Sequence, residues 1–290
     1  MFEQFVEHAP RLGVLGVEIS RGGETVLCQA WDGVFRRNIY SATKSVVATA
    51  VGIAVHEGLL SLSEKLTDVF AEEMPQPLPP YWEGSTVRDL LTMGLGYETT
   101  CLMAAQRWNL PEDNWVKAAL AHPLVRPTGE KLFYTNAGPH LAAVLVQRRA
   151  GCDLDAYLKP RLFDPLGIRC PNWEKDPMGY NFGGAGLTLA LPEMHRLGLL
   201  WLNGGRWEGK QLVEEDWLKE CARKQMDTES GFGYGYLFWR GPRDSWRADG
   251  AYGQKIIMLP RDEMVIAIQA ESHGKGELAR LIQESILDQL

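Results

Sequence analysis

The chain has 290 residues, 45% hydrophobic and 23% charged, a globular balance with the length to bury a large core as one two-lobed domain or two intimate ones. Its formal net charge of −7 leaves no basic stripe, which argues against nucleic acid and anionic membrane as partners. No apolar run has the length to span a bilayer, and the N-terminal Phe2–His8 stretch lacks the basic and apolar regions of a signal peptide.

The predicted elements begin with an amphipathic helix near residues 2–10. Leu15–Ser20 and Thr25–Trp31 then read as a hairpin across Arg21-Gly22-Gly23-Glu24. From about Ser41 to Glu57 the pattern is apolar nearly all round, as in a buried helix, and Gly58 stops it. A helix-rich, proline-punctuated middle runs to about residue 225, with helices expected near 87–93, 113–121, 137–150, 153–160, 192–203 and 213–223. Pro75, Pro77, Pro79 and Pro80 mark a loop within it. Strands return at Tyr234–Trp239, Gln254–Leu259 and Met264–Ile268, before a last helix over about Glu277–Leu287.

Cys28, Cys101, Cys152, Cys170 and Cys221 are odd in number and form no Cys-x-x-Cys pair. That argues against a zinc site or a disulfide framework and for reduced thiols in a cytoplasmic protein. They are expected to be small buried hydrophobes. The six histidines show no metal-ligand spacing, and no metal or organic cofactor is implied.

Three short stretches carry chemistry. Ser41-Ala42-Thr43-Lys44 opens the long apolar helix. Residues three apart on a helix share a face, so the amine reaches the hydroxyl, and a lysine kept neutral activates a serine nucleophile. The helix start adds the positive end of the macrodipole. Tyr134-Thr135-Asn136 offers a phenol and an amide one residue apart. A tyrosine relays protons where nearby cations lower its pKa, and an amide both donates and accepts. The glycine-rich Arg247–Gln254 runs into the strand Lys255–Leu259, where a substrate approaching closely would meet a free backbone N–H. Each stretch alone also has an ordinary structural reading. Ser41 is a favoured helix cap, Tyr134 a packing tyrosine, Asn136 a turn residue and the 247–254 glycines a hairpin turn.

Together, in this order, the motifs resemble those of the class C β-lactamase-like serine hydrolases, which include penicillin-binding proteins, carboxylesterases and nylon-oligomer hydrolases. Gly58–Leu62, Leu90–Gly96, Tyr157–Ile168 and Gly183–Leu187 extend the resemblance over most of the chain from about Asn38. It implies an α/β fold with an all-α part: a five-stranded antiparallel sheet flanked by helices, with a helical lobe inserted. The sheet lobe would comprise 1–40 and 226–290, the helical lobe 41–225, with the active site between them. The resemblance makes Ser41 the acylated nucleophile, Lys44 the general base, Tyr134 the second proton carrier and Asn136 the amide that holds the substrate. The third motif, normally Lys-Thr-Gly or His-x-Gly, aligns with Ala248-Asp249-Gly250, making the Ala251 N–H an oxyanion donor. A second register uses Ala251-Tyr252-Gly253 and the Gln254 N–H. Neither supplies the usual cation, which in relatives engages a substrate carboxylate. The implied partner is therefore a small neutral ester or amide. A β-lactamase or D-peptidase with altered carboxylate recognition, and a catalytically silent binding homologue, are the alternatives.

Overall fold

The computed structural model describes residues 2–274 and 276–290. Among them one antiparallel sheet has six strands: β1 (Val14–Arg21), β2 (Glu24–Ala30), β3 (Trp239–Arg240), β4 (Trp246–Gly250), β5 (Gln254–Leu259) and β6 (Met264–Ala270). Their order across the sheet is β2-β1-β6-β5-β4-β3. The expected hairpin is β1–β2, and Gly22 and Gly23 take the positive φ of its turn. The expectation of five strands is corrected by β4, which forms from the stretch read as a glycine-rich edge or turn. Trp246, Ala248 and Gly250 are buried on one face, and Arg247 and Asp249 are half-buried on the other. The strand expected at Tyr234–Trp239 shrinks to Trp239–Arg240, because Leu237 turns the chain through a left-handed conformation.

Each sheet face has its own cover. Terminal helices Glu3–His8 and Glu277–Ser285 lie on one face, where Phe5, Leu278 and Ile282 meet Val17, Ile257 and Ile266. Each such fully buried side chain contributes about 1.5–3 kcal/mol. On the other face runs helix Leu191–Leu202. There Gly198 lies so close to Val265 and Ile256 that a Cβ would fall 2.5 Å from the valine side chain. This face continues into the larger core, built on helices Thr43–His56 and Ala137–Ala150.

The first of those helices is buried from Thr43 through Ala54, as its all-round apolar pattern requires. Its polar Thr49 is satisfied, donating to Ser45 O (2.9 Å) and accepting from Trp201 Nε1 (3.0 Å). Five further helices match expected stretches: Val87–Thr92, Trp115–Ala121, Leu154–Leu158, Leu191–Leu202 and Glu215–Ala222. Asn114 caps the second of these by accepting from the Val116 and Lys117 amides. Two short helices, Leu66–Val69 and Ala104–Trp108, were not expected.

The cysteine expectation holds for two residues only. Cys101 and Cys221 are buried, whereas Cys28, Cys152 and Cys170 are exposed, and all five are free thiols. Among the described residues no helix is long and apolar enough to cross a membrane.

Candidate active site

Ser41 stands at an abrupt turn from strand to helix. Arg37 and Asn38 pair with Leu189 and Thr188, and Ile39 N donates to Leu187 O (2.9 Å). Tyr40 then takes a left-handed φ of 46°, with its amide held by Asn38 Oδ1 (2.7 Å). A non-glycine residue there is strained, and the surrounding pairing holds it in place. Ser41 lies within a single 3-10 turn, Tyr40–Ala42, and the α-helix begins at Thr43. The helix expected from Ser41 thus starts two residues later than its sequence pattern indicates. The i, i+3 relation to Lys44 survives because the turn is continuous with the helix.

Lys44 is 1% exposed. Its Nζ lies 2.9 Å from Ser41 Oγ, 2.6 Å from Asn136 Oδ1 and 2.7 Å from Gly184 O. Burial holds the ammonium well below the ordinary lysine range, and the positive Arg107 lowers it further. A neutral amine has two N–H donors and one lone pair. Asn136 Oδ1 and Gly184 O can only accept, so they take both donors. The lone pair is left for the Ser41 hydroxyl proton. The Asn136 orientation is fixed independently, since its Nδ2 donates to Leu102 O (2.8 Å).

Asn136, expected to hold the substrate, accepts from Lys44 and donates to Leu102 O. It comes within reach because it immediately precedes helix Ala137–Ala150. Gly184 had no assigned role. A Cβ there would fall 2.6 Å from Asn136 Cγ, so a side chain would push this carbonyl away from the lysine.

Tyr134 is half-buried, and Ser41 is among the groups that act on its phenol. Burial raises its phenol above the ordinary value, the nearby Ser41 lowers it, and the Asp249 charge raises it again, for a net upward shift. The expected lowering by cations does not occur. Tyr134 is a neutral donor, and Lys44 Nζ lies 4.9 Å from its ring centroid rather than on its oxygen. Trp239 stacks on the same ring at 5.5 Å and Tyr234 meets it edge-on at 6.5 Å. These two aromatic neighbours were missed because their only sequence signal was the strand expected there.

Strand β4 brings Gly250 and Ala251 to the turn that holds Ser41. A Cβ on Gly250 would fall 2.2 Å from Ile39 O, so glycine is required for close approach rather than for its backbone angles. Ala251 is exposed at the head of the following turn, and the Tyr252 and Tyr40 rings meet at 5.0 Å. The second register fails, because the Gln254 N–H donates to Ala251 O. Asp249 binds Arg247 Nε and Lys255 Nζ, both at 2.8 Å. Burial alone would raise its carboxyl, but the two cations outweigh that and hold it below the ordinary value. Lys255 lies opposite Asp249 across the β4–β5 ladder. It therefore shares the face of Arg247 and Ile257, opposite to that of Ala248, and is no substitute for the missing third-motif cation.

Arg107 was also missed. It donates to Glu174 Oε1 and Oε2, both at 3.0 Å from Nη2, and its guanidinium stands 4.7 Å from the Phe182 ring. No short motif marks it, since it reaches Lys44 only by its charge.

A family model described as Beta-lactamase matches residues 1–290. The 6-aminohexanoate-dimer hydrolase of Paenarthrobacter ureafaciens is 23% identical over 282 residues, covering 86% of this chain and 70% of that one. A Bacillus anthracis structure described as a candidate 6-aminohexanoate-dimer hydrolase superposes with a TM-score of 0.82 at 18% identity, covering 98% of this chain and 80% of that one. EstCE1, described as a hydrolase with promiscuous acyltransferase activity, superposes with a TM-score of 0.79 at 13% identity, covering 97% and 96%.

Proposed function

The chain belongs to the beta-lactamase family, and from that premise we propose that it is a serine hydrolase acting on small neutral esters or amides through an acyl-enzyme on Ser41. The observation that carries this is the Lys44 environment. A buried lysine holding two pure acceptors has one remaining position, and Ser41 Oγ occupies it.

In the first step Lys44 takes the Ser41 proton as Oγ bonds to the substrate carbonyl carbon. The N–H groups of Ser41 and Ala251 would hold the oxyanion, where fixed backbone donors are worth most. Collapse of the tetrahedral intermediate breaks the bond to the leaving alcohol or amine, which takes its proton from Tyr134. Lys44, which holds the proton taken from Ser41, returns it to the phenolate, so the amine is neutral again for the second step. Water then attacks the ester carbonyl as Lys44 takes its proton; the bond to Ser41 Oγ breaks, Oγ takes that proton back, and the carboxylic acid leaves.

The substrate class rests on charge. Ala248 and Ala251 offer no cation, and Lys255 is committed to Asp249 on the other face of β4. The named activity of the Paenarthrobacter relative, hydrolysis of an aminohexanoate dimer, supports an amide as the bond cleaved, while that dimer itself carries a terminal ammonium and carboxylate. Turnover of p-nitrophenyl esters, a chromogenic cephalosporin and D-amino-acid amides, measured side by side, tests the proposal. Hydrolysis of the cephalosporin alone would favour the β-lactamase reading.

A further inference from the structure

Between β3, β4, β5 and the C-terminal helix Glu277–Ser285 lies a cavity of about 230 Å³. It opens on the sheet face of Ile257, the face covered by the terminal helices and opposite to the one Gly250 presents to Ile39. Asp249, which binds two of its cations, also acts on Tyr134, so the cavity backs onto the Ser41 site but shares none of Ser41, Lys44, Tyr134, Asn136 and Ala251 with it.

Its composition is asymmetric. The floor is apolar, from Ile257, Ile282 and Leu287, while the charged groups lining it are Arg240, Arg247 and Lys255. None of the lining residues is acidic. Arg247 and Lys255 share the single carboxylate of Asp249, which leaves one positive charge uncompensated between them. Arg240 reaches Asp244 only at 3.6 Å, and that carboxylate also binds Arg261. A second hollow beneath Tyr252 and Gly253 shares Lys255 and Ala279 with the first, so Lys255 stands where the two meet.

An apolar floor beside an excess of positive charge complements an anion with a hydrocarbon body. The volume falls below the roughly 300–1,000 Å³ typical of larger ligands, so the occupant has on the order of ten heavy atoms. We propose that this cavity binds a medium-chain monocarboxylate, its chain on Ile257, Ile282 and Leu287 and its carboxylate on Arg247 and Lys255. The proposal does not depend on the reaction at Ser41, because the ligand is not turned over.

Calorimetric titration of the whole protein with octanoate tests it, with 1-octanol as the uncharged comparison. Octanoate is expected to bind with a Kd below about 1 mM, and octanol at least about tenfold more weakly, having no charge to offer the cations. Ala279→Phe places a ring at the exposed mouth without touching the floor, and Lys255→Gln removes one cation. Each is expected to weaken octanoate at least about tenfold while the protein retains its thermal transition. No binding at 10 mM octanoate (about tenfold above the expected Kd), equal binding of octanol, or undiminished octanoate binding by either folded variant would overturn the proposal.

Discussion

Lys44 Nζ lies 2.9 Å from Ser41 Oγ, with Asn136 Oδ1 and Gly184 O taking its other two positions. The amine is shut away from water and receives no carboxylate partner among these contacts. The charged form thus loses hydration without gaining an ion pair, and the neutral form keeps a complete set of hydrogen bonds.

The pH dependence follows with a definite sign. A general base works only when unprotonated, so kcat/KM should rise with pH through the Lys44 pKa and be lost below it. Burial and Arg107 both place that rise below the ordinary lysine value of about 10.4. Arg107→Gln removes the second cause and should move the acid limb to higher pH. A pH–rate profile of that variant with its limb unmoved, or displaced downward, contradicts the assignment.

Asn136 offers a second handle on the same proton. Asn136→Asp places a carboxylate against the amine, which favours its charged form. Activity at neutral pH should fall and partly recover as the pH is raised. Asn136→Ala leaves Leu102 O without its donor, and unfolding in urea should show a loss of about 1–3 kcal/mol. Recovery at high pH separates the electrostatic effect of the aspartate from simple structural damage.

The proposed oxyanion donor, the Ala251 N–H, can be removed without altering a side chain that faces Lys44. Ala251 opens a 3-10 turn, and Gly250 before it has φ −119° and ψ 157°, an extended conformation that accepts a following proline. Ala251→Pro should fold normally, by circular dichroism and thermal transition, and lose about 10²–10³ in kcat. A folded proline variant with nearly full kcat would place the oxyanion elsewhere.

The Ser41–Lys44 pair was legible because a three-residue spacing survives whether the turn is 3-10 or α. Tyr134 and Asn136 were legible as side chains, yet Asn136's engagement was not, since nothing local tells which neighbour an amide will choose. Gly184 was hidden for a deeper reason: its contribution is a carbonyl oxygen, which every residue has. Strand β4 was obscured because its inward positions end in Ala248 and Gly250 while charges occupy the outward ones, leaving little hydrophobic alternation. Conversely, Tyr234–Trp239 has strand-like composition, but Leu237 breaks it and the neighbouring Gly235 packs against the Cys221 carbonyl.

Substrate charge gives a further prediction. A carboxylate entering this partly buried site would lack the charge-assisted hydrogen bond, worth roughly 1.5–3 kcal/mol, that a third-motif cation supplies in relatives. Neutral short-chain esters or amides should exceed benzylpenicillin by at least about tenfold in kcat/KM. Because Lys255 faces away with Asp249, Lys255→Ala should leave that preference in the same direction. Preference for benzylpenicillin over every neutral substrate, abolished by Lys255→Ala, would show that the lysine turns into the cleft after all.

The most direct measurement is the site of acylation. Incubation with a fluorophosphonate or a slowly deacylating ester, followed by peptide mass spectrometry, should place one adduct on Ser41. Ser41→Ala should remain folded, form no adduct and lose turnover. An adduct on another residue, or an alanine variant with undiminished turnover, would contradict the acyl-enzyme mechanism.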